Sequence, residues 1–229
     1  MADASGGLPP RGENDEGANR KGAPIAIATL LWAPNESTLH YSNMYDEGWV
    51  EKLYRGFARN LTRPFRFVCF VDRIREFAEP IEQELIEGAP SYASCIQPYR
   101  LNVPMILVGL DTIVTGNCDE LADFCFYSDR IAVPRDPFYP DKLCDGVHLA
   151  PAGMKAMMYD AHAGENDMEW VRSHTERLAV IDKELPGQVN SYKGFVERNG
   201  LLDTRICYFH GERKPHELGH VGWVERHWV

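Results

Sequence analysis

The sequence predicts an α/β domain whose central sheet is mostly parallel. Ile25 to Trp32, Phe65 to Val71 and Met105 to Leu110 are short, almost wholly apolar runs. Such runs suit strands buried on both faces, as in a sheet covered by helices. Between the first two lies Asp46 to Asn60, which with the next residue sets Trp49, Val50, Leu53, Phe57 and Leu61 on one helical face. Strand, helix, strand in that order calls for crossover connections and parallel pairing.

The elements follow in order. Residues 1 to 22 are Gly, Pro, Asn and charge. They bury too little apolar surface to offset ordering, so they read as a disordered tail ahead of a domain over 23–229. Order begins at Pro24. The first strand feeds the helix, and FRFVCFV is the second strand, ending at Asp72. Met105 to Leu110 is the third, continued by Ile113 to Thr115. Asn117 and Glu120 have capping-box spacing ahead of Leu121, Phe124 and Cys125, so a helix starts there. Arg130 to Tyr139 is Pro-rich, Gly146 to Ala150 reads as a strand and Met168 to Leu178 as a helix. Ile206 to Phe209 is a short late strand before a Gly- and His-rich end. No internal repeat is present.

Composition narrows the classes. A chain of 229 residues suits one domain, or one domain with a tail. The net charge of −10 argues against nucleic acid as the main partner, because phosphate binding needs a basic footprint. The six cysteines, at 69, 95, 118, 125, 144 and 207, form no CxxC pair. They read as reduced, partly buried thiols and not as a disulfide framework. No stretch approaches the roughly 18 apolar residues that span a bilayer. The N-terminus lacks the apolar core of a signal peptide. A cytoplasmic location is therefore expected. The oligomeric state is not legible.

In open α/β sheets ligands bind outside the carboxyl ends of the strands. Three expected strand ends carry polar residues: Asp72, Asp111 after MILVGL, and His210 after ICYF. A carboxylate and an imidazole meeting there suit a divalent cation such as Mg²⁺ or Mn²⁺, which leaves positions open for a diphosphate. Lys214 and Arg100 add positive charge at the same place. Taken singly, Asp111 and Asp72 also read as turn residues, His210 as a core or surface histidine, and Lys214 as a solvated loop charge.

From Pro24 onward the chain resembles the GT-A glycosyltransferases, most of all relatives of glycosyltransferase family 8. ATLLW, WVEKLYRGFARNLTRPF and FRFVCFVD look like that group's opening nucleotide-binding unit. PYRLNVPMILVGLDTIVTGNCDEL resembles the stretch holding the DxD metal motif, with Arg100 at its lead-in. CDGVHLAPAG resembles the segment beside the donor sugar. NDMEWV resembles the GDQ-type motif, with Asp167 at its acidic position. YFHGERKPH resembles the HxxGxxKPW motif, with Gly211, Lys214 and Pro215 matching.

The resemblance implies a single GT-A-like, Rossmann-like nucleotide-diphospho-sugar transferase domain with a mostly parallel central sheet. It implies transfer of a sugar, with retention of configuration, from a nucleotide-sugar donor to an acceptor the sequence does not name. UDP is the nucleotide the family suggests. Asp111 would coordinate the cation, with His210 as a second ligand. Lys214 and Gly211 would hold the diphosphate, and Arg100 would assist there. Thr29 and Trp32 would lie near base and ribose, although simple core packing accounts for them equally well. Asp167 would orient the donor sugar or the acceptor hydroxyl. Three positions depart from the pattern: Gly109 replaces the first Asp of DxD, Tyr208 stands where the motif has its metal-binding His, and His216 replaces the terminal Trp. A site with fewer anionic ligands binds Mn²⁺ or Mg²⁺ more weakly.

Two other classes stay open. Gly109 and Tyr208 would suit a protein that binds a nucleotide-sugar without turning it over. HELGH, residues 216–220, matches HExxH, which on a helix sets two imidazoles on one face for zinc with Glu217 as general base. The extended metzincin pattern wants Gly and His where Trp223 and Arg226 stand, and Gly219 and Gly222 weaken a helix.

Overall fold

A computed structural model describes residues 22–229. The tail expected at 1–22 lies, save for its last residue, outside the described residues.

The strands are β1 (Ile25–Leu31), β2 (Phe65–Val71), β3 (Glu82–Leu85), β4 (Met105–Val108), β5 (Thr112–Val114), β6 (Ala132–Val133), β7 (Val147–Ala150), β8 (Ala179–Val180), β9 (Val189–Ser191) and β10 (Ile206–Tyr208). Seven form the main sheet, in the order β3-β2-β1-β4-β7-β6-β8. Only β7 runs against its neighbours, so the sheet is mostly parallel, as expected. The apolar run of β1 is explained by burial on both sides. Ile25, Ile27 and Leu31 enter one core layer, and Ala26 and Ala28 the other.

Helix α1 (Glu47–Asn60) follows β1 and buries Trp49, Val50, Leu53 and Phe57. It starts where the Asp46 carboxylate accepts from Trp49 N–H, satisfying one of the free donors of the first turn. Gly56 lets it approach β5, since a Cβ there would lie 3.3 Å from Val114. Helix α2 (Asp119–Tyr127) covers the sheet near β4 and β7. Helix α3 (Asp167–Ser173) and the 3₁₀ helix Tyr92–Leu101 lie together on the opposite layer. A last helix, α4 (Gly222–His227), packs Trp228 edge-on against Trp49.

Three local expectations are corrected. Ile113 to Thr115 does not prolong the third strand. The chain turns at Gly109 to Asp111, and β5 joins a second sheet in the order β5-β10-β9. The Asn117–Glu120 capping box does not form. Cys118 is the N-cap, the Asn117 side chain accepts from Asp119 N–H at 2.9 Å, and Glu120 is taken by Gln188. The helix expected over Met168 to Leu178 gives way after Ser173 to a 3₁₀ turn, Thr175–Arg177, ahead of β8. HELGH is not an α-helix, because Pro215–Leu218 is a single 3₁₀ turn and α4 begins only at Gly222. His216 lies against Trp49 instead of pairing with His220. All six cysteines are free thiols, five of them buried. Among the described residues no helix is long and apolar enough to cross a membrane.

Candidate active site

A cleft of about 300 Å³ opens where β1 and β4 end and where the second sheet meets the first. Its walls hold Thr29, Trp32, Asp111, Asp167, His210, Gly211 and Lys214. These are all the expected site residues except Arg100 and Asp72. They come from β1, the turn after β4, the start of α3 and the loop after β10.

At one end stands Asp111. Its backbone carbonyl accepts from Phe209 N–H at 3.0 Å, which fixes the turn against the end of β10. Its carboxylate pairs with the ammonium of Lys214, whose side chain is only 7% exposed. Tyr45 donates its hydroxyl to the same carboxylate. Burial first, then the charge of Asp111, pushes that phenol well above its ordinary range, so it stays protonated. Lys214 is itself anchored, because its N–H donates to Glu217 Oε2 at 2.7 Å. The intervening loop reaches positive φ at Gly211 (62°) and Arg213 (62°). At Gly211 the missing Cβ leaves the backbone open to close approach.

His210 is half-buried. Burial, followed by the charges of Lys193 and Lys214, lowers its pKa against the opposing carboxylates of Asp111 and Asp136. Its Nε2 lies 2.7 Å from Ser191 Oγ. Lys193, not singled out in the sequence, stands nearby: a Cβ added at Gly211 would be 3.4 Å from its Nζ.

The other end holds a carboxyl pair. Asp145 and Asp167 share a hydrogen bond. Burial, then the neighbouring carboxylate, drives the Asp145 pKa far upward, while N–H and thiol donors to Asp167 partly offset its own burial. The pair therefore favours one shared proton over two charges, and Asp145 is the partner pushed further toward the protonated form. Cys95 donates its thiol to Asp167, and burial raises the pKa of that thiol well above its usual range. His148 in β7 sits behind the pair. Burial lowers its pKa to about 4, and it donates to the Asp145 carbonyl. Its Nδ1 lies 2.7 Å from Tyr99 Oη. The sequence reading quoted the CDGVHLAPAG segment without selecting Asp145. A lone Asp before Gly carries no local mark, and its partner is distant in the chain.

Thr29 and Trp32 line the wall between these ends. Thr29 Oγ1 is buried without a hydrogen-bond partner, while Trp32 Nε1 donates to Thr38 Oγ1 at 3.2 Å. Both side chains are buried, and that of Trp32 is already engaged.

Two expected contributors are elsewhere. Arg100 is bound by Glu87 and the Leu85 carbonyl and lies over the Phe70 ring, outside the cleft. Its charge is satisfied on the β3 side. Asp72 is tied to Arg75 at 2.7 Å and to Ala33 N–H at 3.1 Å, and it organises the loops after β1 and β2.

The donor set does not fit the Mg²⁺ or Mn²⁺ expected from the resemblance. Such a cation wants several free oxygen ligands. Position 109 has no side chain, and a Cβ there would stand 2.9 Å from Asp111 Oδ1. Asp111 is occupied by Lys214 and Tyr45, and His210 by Ser191. Among the described residues no three His, Cys, Asp or Glu side chains are grouped to hold a metal.

No family model matches the chain, and no curated protein matches it in sequence. Solved structures do share its fold. The glycosyltransferase GlyE of Streptococcus pneumoniae TIGR4 is 12% identical, with a TM-score of 0.54 over 84% of this chain and 56% of that one. The bifunctional glycosyltransferase WbbM is 9% identical, with a TM-score of 0.56 over 84% of this chain and 46% of that one. The chain thus spans about half the length of these structures. At such identities the likeness establishes the fold: a mixed α/β domain with a mostly parallel central sheet, of the kind seen in glycosyltransferases.

Proposed function

We propose that this chain is a glycosyltransferase that moves a sugar from a nucleoside diphosphate sugar, with UDP as the nucleotide. One observation carries the reading. A single cleft at the strand ends has a cationic end, where the Lys214 ammonium stands with His210 and Gly211 beside it, and a carboxyl-pair end, built from Asp145 and Asp167. The distribution suits a donor whose diphosphate is anionic and whose sugar carries neutral hydroxyls. Lys214 is a point charge for phosphate oxygens, and the open backbone at Gly211 admits them closely. Trp32 and the backbone of Thr29 form the wall beside which base and ribose would lie. Asp167 accepts hydrogen bonds from sugar hydroxyls, with Asp145 as its hydrogen-bonded neighbour. A charge developing on the departing diphosphate is stabilised by the fixed ammonium without reorganisation. The resemblance to family 8 carries retention of configuration with it, and the acceptor remains to be assigned.

The test is release of nucleotide from a panel of UDP-hexoses, with donor hydrolysis as the background reaction. Release should depend on Asp167. Asp167→Asn should slow it by roughly 10²-fold or more, the usual loss for a group that acts in the transition state. Unchanged release in that variant would remove Asp167 from the chemistry. Gly109 and Tyr208 favour a second reading, binding without transfer. Tight binding of the UDP-sugar with no nucleotide release under any acceptor would establish it.

A further inference from the structure

Resting on the nucleotide-sugar reading above, we infer that the cationic end of the cleft does without a divalent metal and that Lys214 and Lys193 together supply the diphosphate's counter-charge. Asp111 serves as the anchor of an ammonium group and not as a metal ligand.

Four features support this. Gly109 removes one carboxylate from the turn. The remaining carboxylate already holds Lys214, and Tyr45 donates to it as well. Lys214 is fixed from behind by Glu217 and is nearly enclosed, yet it lines the cleft. An ammonium has three donors, so one on Asp111 leaves the others for phosphate oxygens. Lys193 makes no ion pair among the described residues and stands over the exposed backbone of Gly211. Lys214, held in place from behind, and Lys193, standing over Gly211, flank the place where an anionic diphosphate would lie. A further cation entering at Asp111 would have to displace Lys214 and face its charge at close range.

The experiment is calorimetric titration of the whole chain with UDP and with GDP, once in excess EDTA and once in excess Mn²⁺. The inference expects one nucleotide to bind in EDTA, with a dissociation constant within about threefold of that in Mn²⁺. Lys193→Met should weaken that binding by roughly tenfold or more, the range for a lost charge-assisted hydrogen bond. Lys193 is part-exposed and holds no structural ion pair, so this variant folds even if Lys214→Met, which strands Asp111, does not. Asp111→Asn should leave the binding resistant to EDTA. Binding that appears only with Mn²⁺, or that ignores Lys193→Met, overturns the inference and leaves the glycosyltransferase reading standing. Failure of both nucleotides to bind under either condition overturns that reading and the inference with it.

Discussion

Burial and the Asp167 charge raise the pKa of Asp145, so above that pKa the folded state bears the full ionisation cost that the unfolded state lacks. As pH falls below the folded pKa the folded protein takes up the proton first, and the cost shrinks until it vanishes below the ordinary carboxyl value of 3.8. Asn copies the shape and the donor of the protonated acid. Asp145→Asn should therefore raise Tm at pH 8 by a few degrees, about 1–3 kcal/mol, with the gain shrinking toward acid pH. Differential scanning calorimetry across pH reads this directly, and a gain that grows on acidification would contradict it. His148 behaves with the opposite sign. Its folded pKa of about 4 lies below the unfolded value near 6.5, so the unfolded chain takes the proton first. Its contribution is complete above about pH 6.5 and is lost as pH falls toward about 4. An NMR titration should show one imidazole still neutral at pH 5. A full set of ordinary histidine titrations would place His148 in water. Neither residue stood out in the sequence, because burial and partners, not residue type, set these properties.

At the scale of the element, α1 was the most legible part of the chain. Its buried face follows the helical period and its Asp46 cap is a local signal. The two contribute unequally. Phe57 is fully buried between helix and sheet, so Phe57→Ala should cost about 3–5 kcal/mol in urea unfolding. Asp46→Ala removes a single cap contact and should cost about 1 kcal/mol. Equal losses would mean that Phe57 is not in the close-packed layer. The shorter elements were illegible for a physical reason. Strands β6 and β8 have two residues each, too few to show a period, and they exist through pairing with distant partners. The capping-box spacing at Asn117 was present, but tertiary partners took Glu120 away.

Across the whole molecule, the C-terminal end of the described chain closes on the first helix. Lys52 donates to the Trp228 carbonyl, Arg59 to that of His227, and Trp228 packs on Trp49. Trp49 in turn packs on Tyr45, which donates to Asp111 in the cleft. Trp228→Ala should thus lower stability by about 1–3 kcal/mol and also weaken nucleotide binding. Thermal melts and UDP titrations of one sample check both, and lost stability with intact binding would uncouple the two ends. By itself the sequence determined the α/β class, the first two strands, the helix between them and several of the residues that line the cleft. Those are properties of local periodicity and of strand ends, which a sequence displays directly. Only the tertiary structure decided what the cleft contains. Lys214 meets Asp111 across 103 residues, Asp145 meets Asp167, and Arg100 turns away to Glu87. No local pattern encodes such contacts, because a charge takes whichever partner the packed fold brings within reach and shields from water.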